Sequence, residues 1–185
     1  MQRIILGIVG VLLLLSQAIT RSQAGLPPTV ATDITAAEIQ AVLNAPTGGG
    51  DRQMKVVDIG KYNVSVGVLR RGKTTPGAPV GAINHEHVTE VYYIISGTGT
   101  LVTGGTVENV RALAADGEIV KVAVGPSNNA TFRQPAQSRK VGPGDVIIIP
   151  AGVYHGFSDV AITSTTSPSV QIPITYCQPA MCIPC

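Results

Sequence analysis

All three histidines of this chain fall in two short segments, and each segment carries strand and turn signals that restrict the fold before any other feature is weighed. The first reads His85-Glu86-His87-Val88-Thr89-Glu90 and runs on into Val91-Tyr92-Tyr93-Ile94-Ile95-Ser96-Gly97. The second reads Gly144-Asp145-Val146-Ile147-Ile148-Ile149-Pro150-Ala151-Gly152-Val153-Tyr154-His155, with Asp159 just beyond. A short apolar run bounded by Gly144 and Pro150 is a strand between turns. Side chains alternate faces along a strand, so His85 and His87 are expected to point the same way and could hold one ion between them. A carboxylate, Glu90, and a third imidazole, His155, complete a mixed nitrogen and oxygen set that suits divalent iron, manganese, zinc or nickel.

From Lys55 onward the chain reads as all-β. Val64, Val66 and Val68 alternate with Asn63, Ser65 and Gly67, the pattern of a half-buried strand. Turns such as Gly97-Thr98-Gly99, Gly104-Gly105 and Gly142-Pro143-Gly144 separate the runs, which predicts a sandwich or a barrel. Ahead of them, Thr35-Ala36-Ala37-Glu38 is a capping box, and Ile34 with Ile39 makes a hydrophobic staple. A helix is predicted from Ala36 to about Asn44, broken by Pro46 and Gly48-Gly49-Gly50. Between Gly97 and Gly144 lie 46 residues, enough for an additional hairpin or a lid. Within them Arg111–Glu118 reads either as a turn of helix or as a strand connection.

The two histidine segments resemble the two signatures of the cupin superfamily. There, the first signature has two His separated by one residue, then three or four residues, a Glu, six more and a Gly. The second runs Gly, five residues, Pro-x-Gly, two residues, His, three residues, Asn. Gly144 to His155 follows the second without a gap, with Asp159 in place of the closing Asn. Glu90 to Gly97 keeps the first signature's spacing, but only two residues separate His87 from Glu90. With Glu90 fixed and four residues intervening, His85 takes the second His position and Ile83 the first; with three, Asn84 and Glu86 fall there. A bulge between His87 and Glu90 would restore the full set. His155, Glu90 and His85 therefore rank ahead of His87, which stays open as a fourth ligand.

The resemblance implies a single small jelly-roll β-barrel over residues 55–176 with a divalent metal inside. Tyr92 and Ile94 share the face of Glu90 in a regular strand and, with Tyr154, are expected to line the pocket; Tyr93 reads as a sheet-packing residue. The plain alternative is that the histidines are satisfied polar groups in a barrel mouth.

Residues 1–24 read as a signal peptide. Met1-Gln2-Arg3 is a short positive region, Ile4 to Leu15 is an apolar run of 12 residues, and Ser22-Gln23-Ala24 offers small residues at a cleavage site. A membrane span needs about 20 apolar residues, so no stable span is expected after processing. Ser16-Gln17-Ala18 is a second small-residue site, and a retained N-terminal anchor is the alternative. Secretion or a periplasmic location follows. Removing the leader takes away Arg3 and Arg21, so Lys+Arg falls from 13 to 11 against 11 Asp+Glu and the formal charge drops from +2 to zero. Only Arg70-Arg71-Lys73 clusters basic charge, and it reads as a solvated turn; a nucleic-acid partner has no electrostatic footing. Residues 25–54 form a linker with the capped helix, and residues 177–185 a tail holding Cys177, Cys182 and Cys185. In an oxidising compartment one pair is expected to close as a disulfide, and the tail serves as a stapled end or an intermolecular contact, as in a homodimer.

Two functions fit: a metal-dependent enzyme on a small organic molecule, for which the resemblance favours a dioxygenase-like oxidoreductase ahead of an isomerase or lyase, or a non-catalytic pocket for a sugar, a phenolic or another small ligand. No residue beyond the metal set stands out as a general base.

Overall fold

The computed structural model describes residues 28–45, 51–60, 62–161 and 170–179. The leader, Cys182 and Cys185 lie outside them, so the cleavage and disulfide expectations do too. Among the described residues one helix, α1 (Ala36–Asn44), precedes nine strands: β1 (Arg52–Asp58), β2 (Tyr62–Arg71), β3 (Gly81–His85), β4 (Thr89–Tyr93), β5 (Thr98–Ala112), β6 (Ser127–Val141), β7 (Val146–Ile149), β8 (His155–Ala161) and β9 (Val170–Pro179). The all-β expectation with one short N-terminal helix holds.

α1 begins where the sequence places it. The Thr35 hydroxyl accepts from Glu38 N at 3.2 Å, and Thr35 N donates back to Glu38 Oε2 at 2.6 Å, the reciprocal capping box. The Thr35 N–H first, and then its hydroxyl donating to Glu38 Oε2 at 2.8 Å, hold the Glu38 carboxyl below its ordinary range, with Lys55 adding to the effect. Arg70 donates to the Leu43 carbonyl and ties the end of the helix to β2.

Two antiparallel sheets carry the rest. One runs β1-β2-β9-β4-β7; the other, β3-β6-β5-β8, closes on itself through a single pairing of Ile83 with His155. Between them lies a core of Leu69, Val88, Tyr92, Ile94, Leu101, Val141, Ile149 and Val160. In β2 it is Leu69, at 0% exposure, that reaches this core, so Ser65, Gly67, Leu69 and Arg71 share the inward face. Val64 and Val66, the regularly spaced apolar positions, are half-buried on the other face. Arg71 is thereby corrected from a solvated turn to the inward-facing end of a strand.

The long segment after Gly97 forms the additional hairpin, β5 against β6, joined through a π-type helical turn at Val120–Val124. Arg111 and Ala112 finish β5, and Gly117 N closes a turn onto Ala114 O at 2.9 Å. Val120, Ala123 and Val124 are buried in the core, so this connection plugs the barrel and does not act as an open lid.

The second histidine segment folds onto the first. Pro150 ends β7, and Gly152, at φ +80°, makes a turn that L side chains rarely adopt. Its N–H donates to His85 O at 2.7 Å, Asn84 Nδ2 donates to Gly152 O at 3.3 Å, and Ala151 N donates to Thr89 Oγ1 at 3.3 Å. One backbone hydrogen bond and two from the side chains of Asn84 and Thr89 thus help bring His85 and His155 to the same end of the barrel.

Candidate metal centre

His85 ends β3, Glu90 sits second in β4 and His155 begins β8; all three are buried, at 4, 1 and 2% exposure. Glu90 is central. Its Oε1 lies 3.4 Å from His85 Nε2 and its Oε2 2.9 Å from His155 Nε2. One donor atom from each residue falls within 4.8 Å of the others, a compass that a divalent ion with bonds of about 2.0–2.2 Å closes with small side-chain shifts.

The outer partners decide what these nitrogens carry. Ser127 Oγ donates to the carbonyl of Gly125 at 2.9 Å or Val124 at 3.3 Å, leaving its oxygen to accept from His85 Nδ1 at 2.8 Å. His155 Nδ1 faces the Val153 carbonyl at 3.1 Å, which can only accept. Both protons are assigned to Nδ1 by these partners, so both Nε2 lone pairs aim at the carboxylate. That carboxylate is ionised. Burial is the largest influence on Glu90 and pushes it up, but the two imidazoles beside it, His155 ahead of His85, outweigh burial when they carry a proton on Nε2 and hold the group at about 2. Two lone pairs facing an anion in a buried site repel unless a cation lies between them, either a proton on Nε2 or a metal ion. His155 Nε2 is off the line of a hydrogen bond to Glu90 despite the short separation and has no hydrogen-bond partner among the described residues. A metal answers this geometry better than a proton. Two imidazoles and one carboxylate form the facial donor set of iron-type centres that keep positions open for other ligands.

His87 is set apart. It is exposed, on a bend, and is not in the cluster. Strand alternation would have placed it beside His85, but the strand stops there: Glu86 N turns to donate to Pro126 O at 2.9 Å. Asp159, at φ 50°, accepts from Thr100 Oγ1 at 3.0 Å and stands on the exposed surface.

The three expected pocket residues have different places. Tyr92 is buried; its hydroxyl donates to Glu90 Oε2 at 3.2 Å, its ring meets His155 edge-on at 5.9 Å and stacks on Phe157 at 6.2 Å. Ile94 is fully buried core. Tyr154 packs with Ala82, Val102 and Phe132 in a separate cluster. None of the three lines the cavity that reaches His155. That cavity, of about 420 Å³, is bounded by Arg71, Ile83, Asn129, His155, Phe157 and Val160 among others. Alternation outward from Leu69 could have placed Arg71 there. Ser127 and Asn129 depend on the pairing of β3 with β6, which no local pattern announces.

The family profile described as Cupin matches residues 40–158. No curated protein matches the sequence. Among solved structures, a protein from Bacillus halodurans is 11% identical, covers 85% of this chain and 89% of its own, and superposes with a TM-score of 0.47. A double-stranded β-helix domain protein from Klebsiella pneumoniae is 15% identical, with 80% and 91% covered and a TM-score of 0.40. KdgF from Halomonas is 16% identical, with 72% and 82% covered and a TM-score of 0.37.

Proposed function

Because this chain belongs to the cupin family, we propose that it is a metal-dependent enzyme, a dioxygenase-like oxidoreductase, acting on a small organic molecule through an ion held by His85, Glu90 and His155. One observation carries this reading: the Nε2 atoms of two imidazoles, each ring held at Nδ1 by an outer partner, converge on one buried carboxylate. Bound there, iron, manganese, zinc or nickel supplies Lewis acidity and, for the first two, a redox couple. The chain's own residues do the rest. Ser127 and the Val153 carbonyl fix the rings, and the Tyr92 hydroxyl holds one oxygen of Glu90. On one side of the centre the buried Tyr92 ring packs against His155 and Phe157. Three protein donors leave room for a substrate to approach by way of the cavity at His155.

Elemental analysis of protein purified without chelators, followed by oxygen uptake with a panel of small phenolics and carboxylic acids, tests the reading. About one divalent ion per chain and metal-dependent uptake are expected. A chain that takes up none of the four metals at micromolar concentration overturns it.

The same proposal places the protein outside the cytoplasm, because residues 1–24 read as a cleavable leader. Among the described residues no helix is long and apolar enough to cross a membrane. Intact mass after expression in a secreting host should show a mature chain beginning at Gly25.

A further inference from the structure

We propose that the cavity beside His155 binds a small carboxylate with an apolar body, and that Arg71 donates to its carboxylate group. This rests on the reading of His85, Glu90 and His155 as a metal centre. The inward face of β2 runs Ser65, Gly67, Leu69, Arg71; Leu69 is wholly buried, and the next inward position is the guanidinium. A cation therefore stands where the apolar interior opens to solvent. It is held in place: Arg71 Nη1 contacts Asp51 Oδ1 at 2.8 Å, and both side chains are partly buried, at 31 and 26% exposure. That pairing fixes a pose and lowers the entropy lost when a ligand is gripped.

The walls define the rest of the ligand. Ile83, Phe157 and Val160 are apolar, Asn129 and Thr74 add neutral hydrogen-bonding groups, and no described residue lining the cavity is acidic. The segment carrying Thr74 is pinned to β8, since Thr74 N donates to Val160 O at 3.3 Å and Val160 N donates to Thr74 Oγ1 at 3.0 Å. Charge balance agrees with a monoanion. Arg71 and Asp51 offset each other, and a divalent ion against the single carboxylate of Glu90 leaves one positive charge in a partly desolvated space, where unbalanced charge is costly. A volume of about 420 Å³ is that of a small-molecule site. Guanidinium recognises carboxylate through paired N–H donors, which a neutral amide of the same shape cannot reproduce.

Titration calorimetry of the full-length, metal-loaded protein with benzoate, hexanoate and benzamide tests this. At least one carboxylate should bind at least 10-fold more tightly than benzamide. Arg71→Gln should remove that preference, and Arg71→Lys should keep part of it, with circular dichroism and metal content measured on every sample. Equal affinity for benzoate and benzamide, no binding of either carboxylate at millimolar concentration, or full benzoate affinity in a folded Arg71→Gln protein overturns the proposal. Arg71-dependent carboxylate binding to a chain that takes up no metal would instead remove the metal-centre reading and leave the carboxylate site standing.

Discussion

Glu90 is the residue on which the centre turns, because it alone faces both imidazoles. Replacing it or His155 by Ala removes a donor with no substitute nearby. Loss of a mere outer partner costs about 10- to 100-fold in metal affinity, so Glu90→Ala and His155→Ala should each cost at least that, measured by competition with a chelating dye. His85→Ala should do the same. His87→Ala should leave affinity unchanged, since His87 is exposed and outside the cluster; a drop comparable to that of His85→Ala would put His87 back among the ligands. Glu90 also sets a pH dependence in metal-stripped protein. Its carboxyl goes from 4.5 when unperturbed to about 2 in the fold, so the ionised form is the one the fold favours. The stability it contributes is present above pH 4.5 and is lost as pH falls from there toward 2; the shift corresponds to on the order of 3 kcal/mol. Urea unfolding at pH 6, 4 and 3 should show the wild type losing stability faster than Glu90→Gln across that range. Parallel curves would show that the carboxyl titrates alike in the folded and unfolded chains.

Among the elements, α1 was the most legible because its signal is local: Thr35 and Glu38 satisfy each other within one turn, whatever the rest of the chain does. The same locality bounds its importance. A helix of nine residues is marginal alone, and this one is tied down by the buried Leu43 side chain, by Arg70 donating to the Leu43 carbonyl and by Lys55 of β1 beside Glu38. Thr35→Ala should cost about 1 kcal/mol, and it should do so by fraying α1 while the barrel stays intact. Hydrogen exchange at the α1 amides should accelerate several-fold with the barrel amides unchanged; faster exchange in β2 would show the helix to be part of the core. The strands were legible in kind but less so in facing. The half-buried strand read from Val64, Val66 and Val68 has Val64 and Val66 half-buried and Val68 buried, but it gives no sign that Leu69, on the opposite face, belongs to the core with Tyr92 and Ile94. The histidine pair failed for a related reason. Alternation holds only while a strand continues, and the bend after His85 is set by a hydrogen bond to Pro126, far along the chain.

At the scale of the whole molecule, the two motifs share a site because β3 and β8 meet, and they meet at one pairing, Ile83 with His155. Gly156 lies beside that seam, and a Cβ there would come within 2.1 Å of Gly81 O, a backbone atom that cannot swing aside. Nothing local in Val153-Tyr154-His155-Gly156 announces this, since the constraint comes from a strand more than 70 residues earlier. Gly156→Ala must therefore push the strands apart or unseat His155, at a cost of about 1–3 kcal/mol or more from overpacking. Metal affinity should fall with it, as His155 moves away from His85 and Glu90. Gly144→Ala is the matched comparison. Its φ of +90° makes an L side chain strained, but no atom within 4 Å opposes the Cβ, so it should cost about 1–3 kcal/mol from backbone strain alone. Denaturant midpoints and metal affinity measured together separate the two effects. Similar losses of stability with metal affinity lost only in Gly156→Ala would show the β3–β8 seam to be what assembles the centre, whereas Gly156→Ala with unaltered metal affinity would show that the site survives without it.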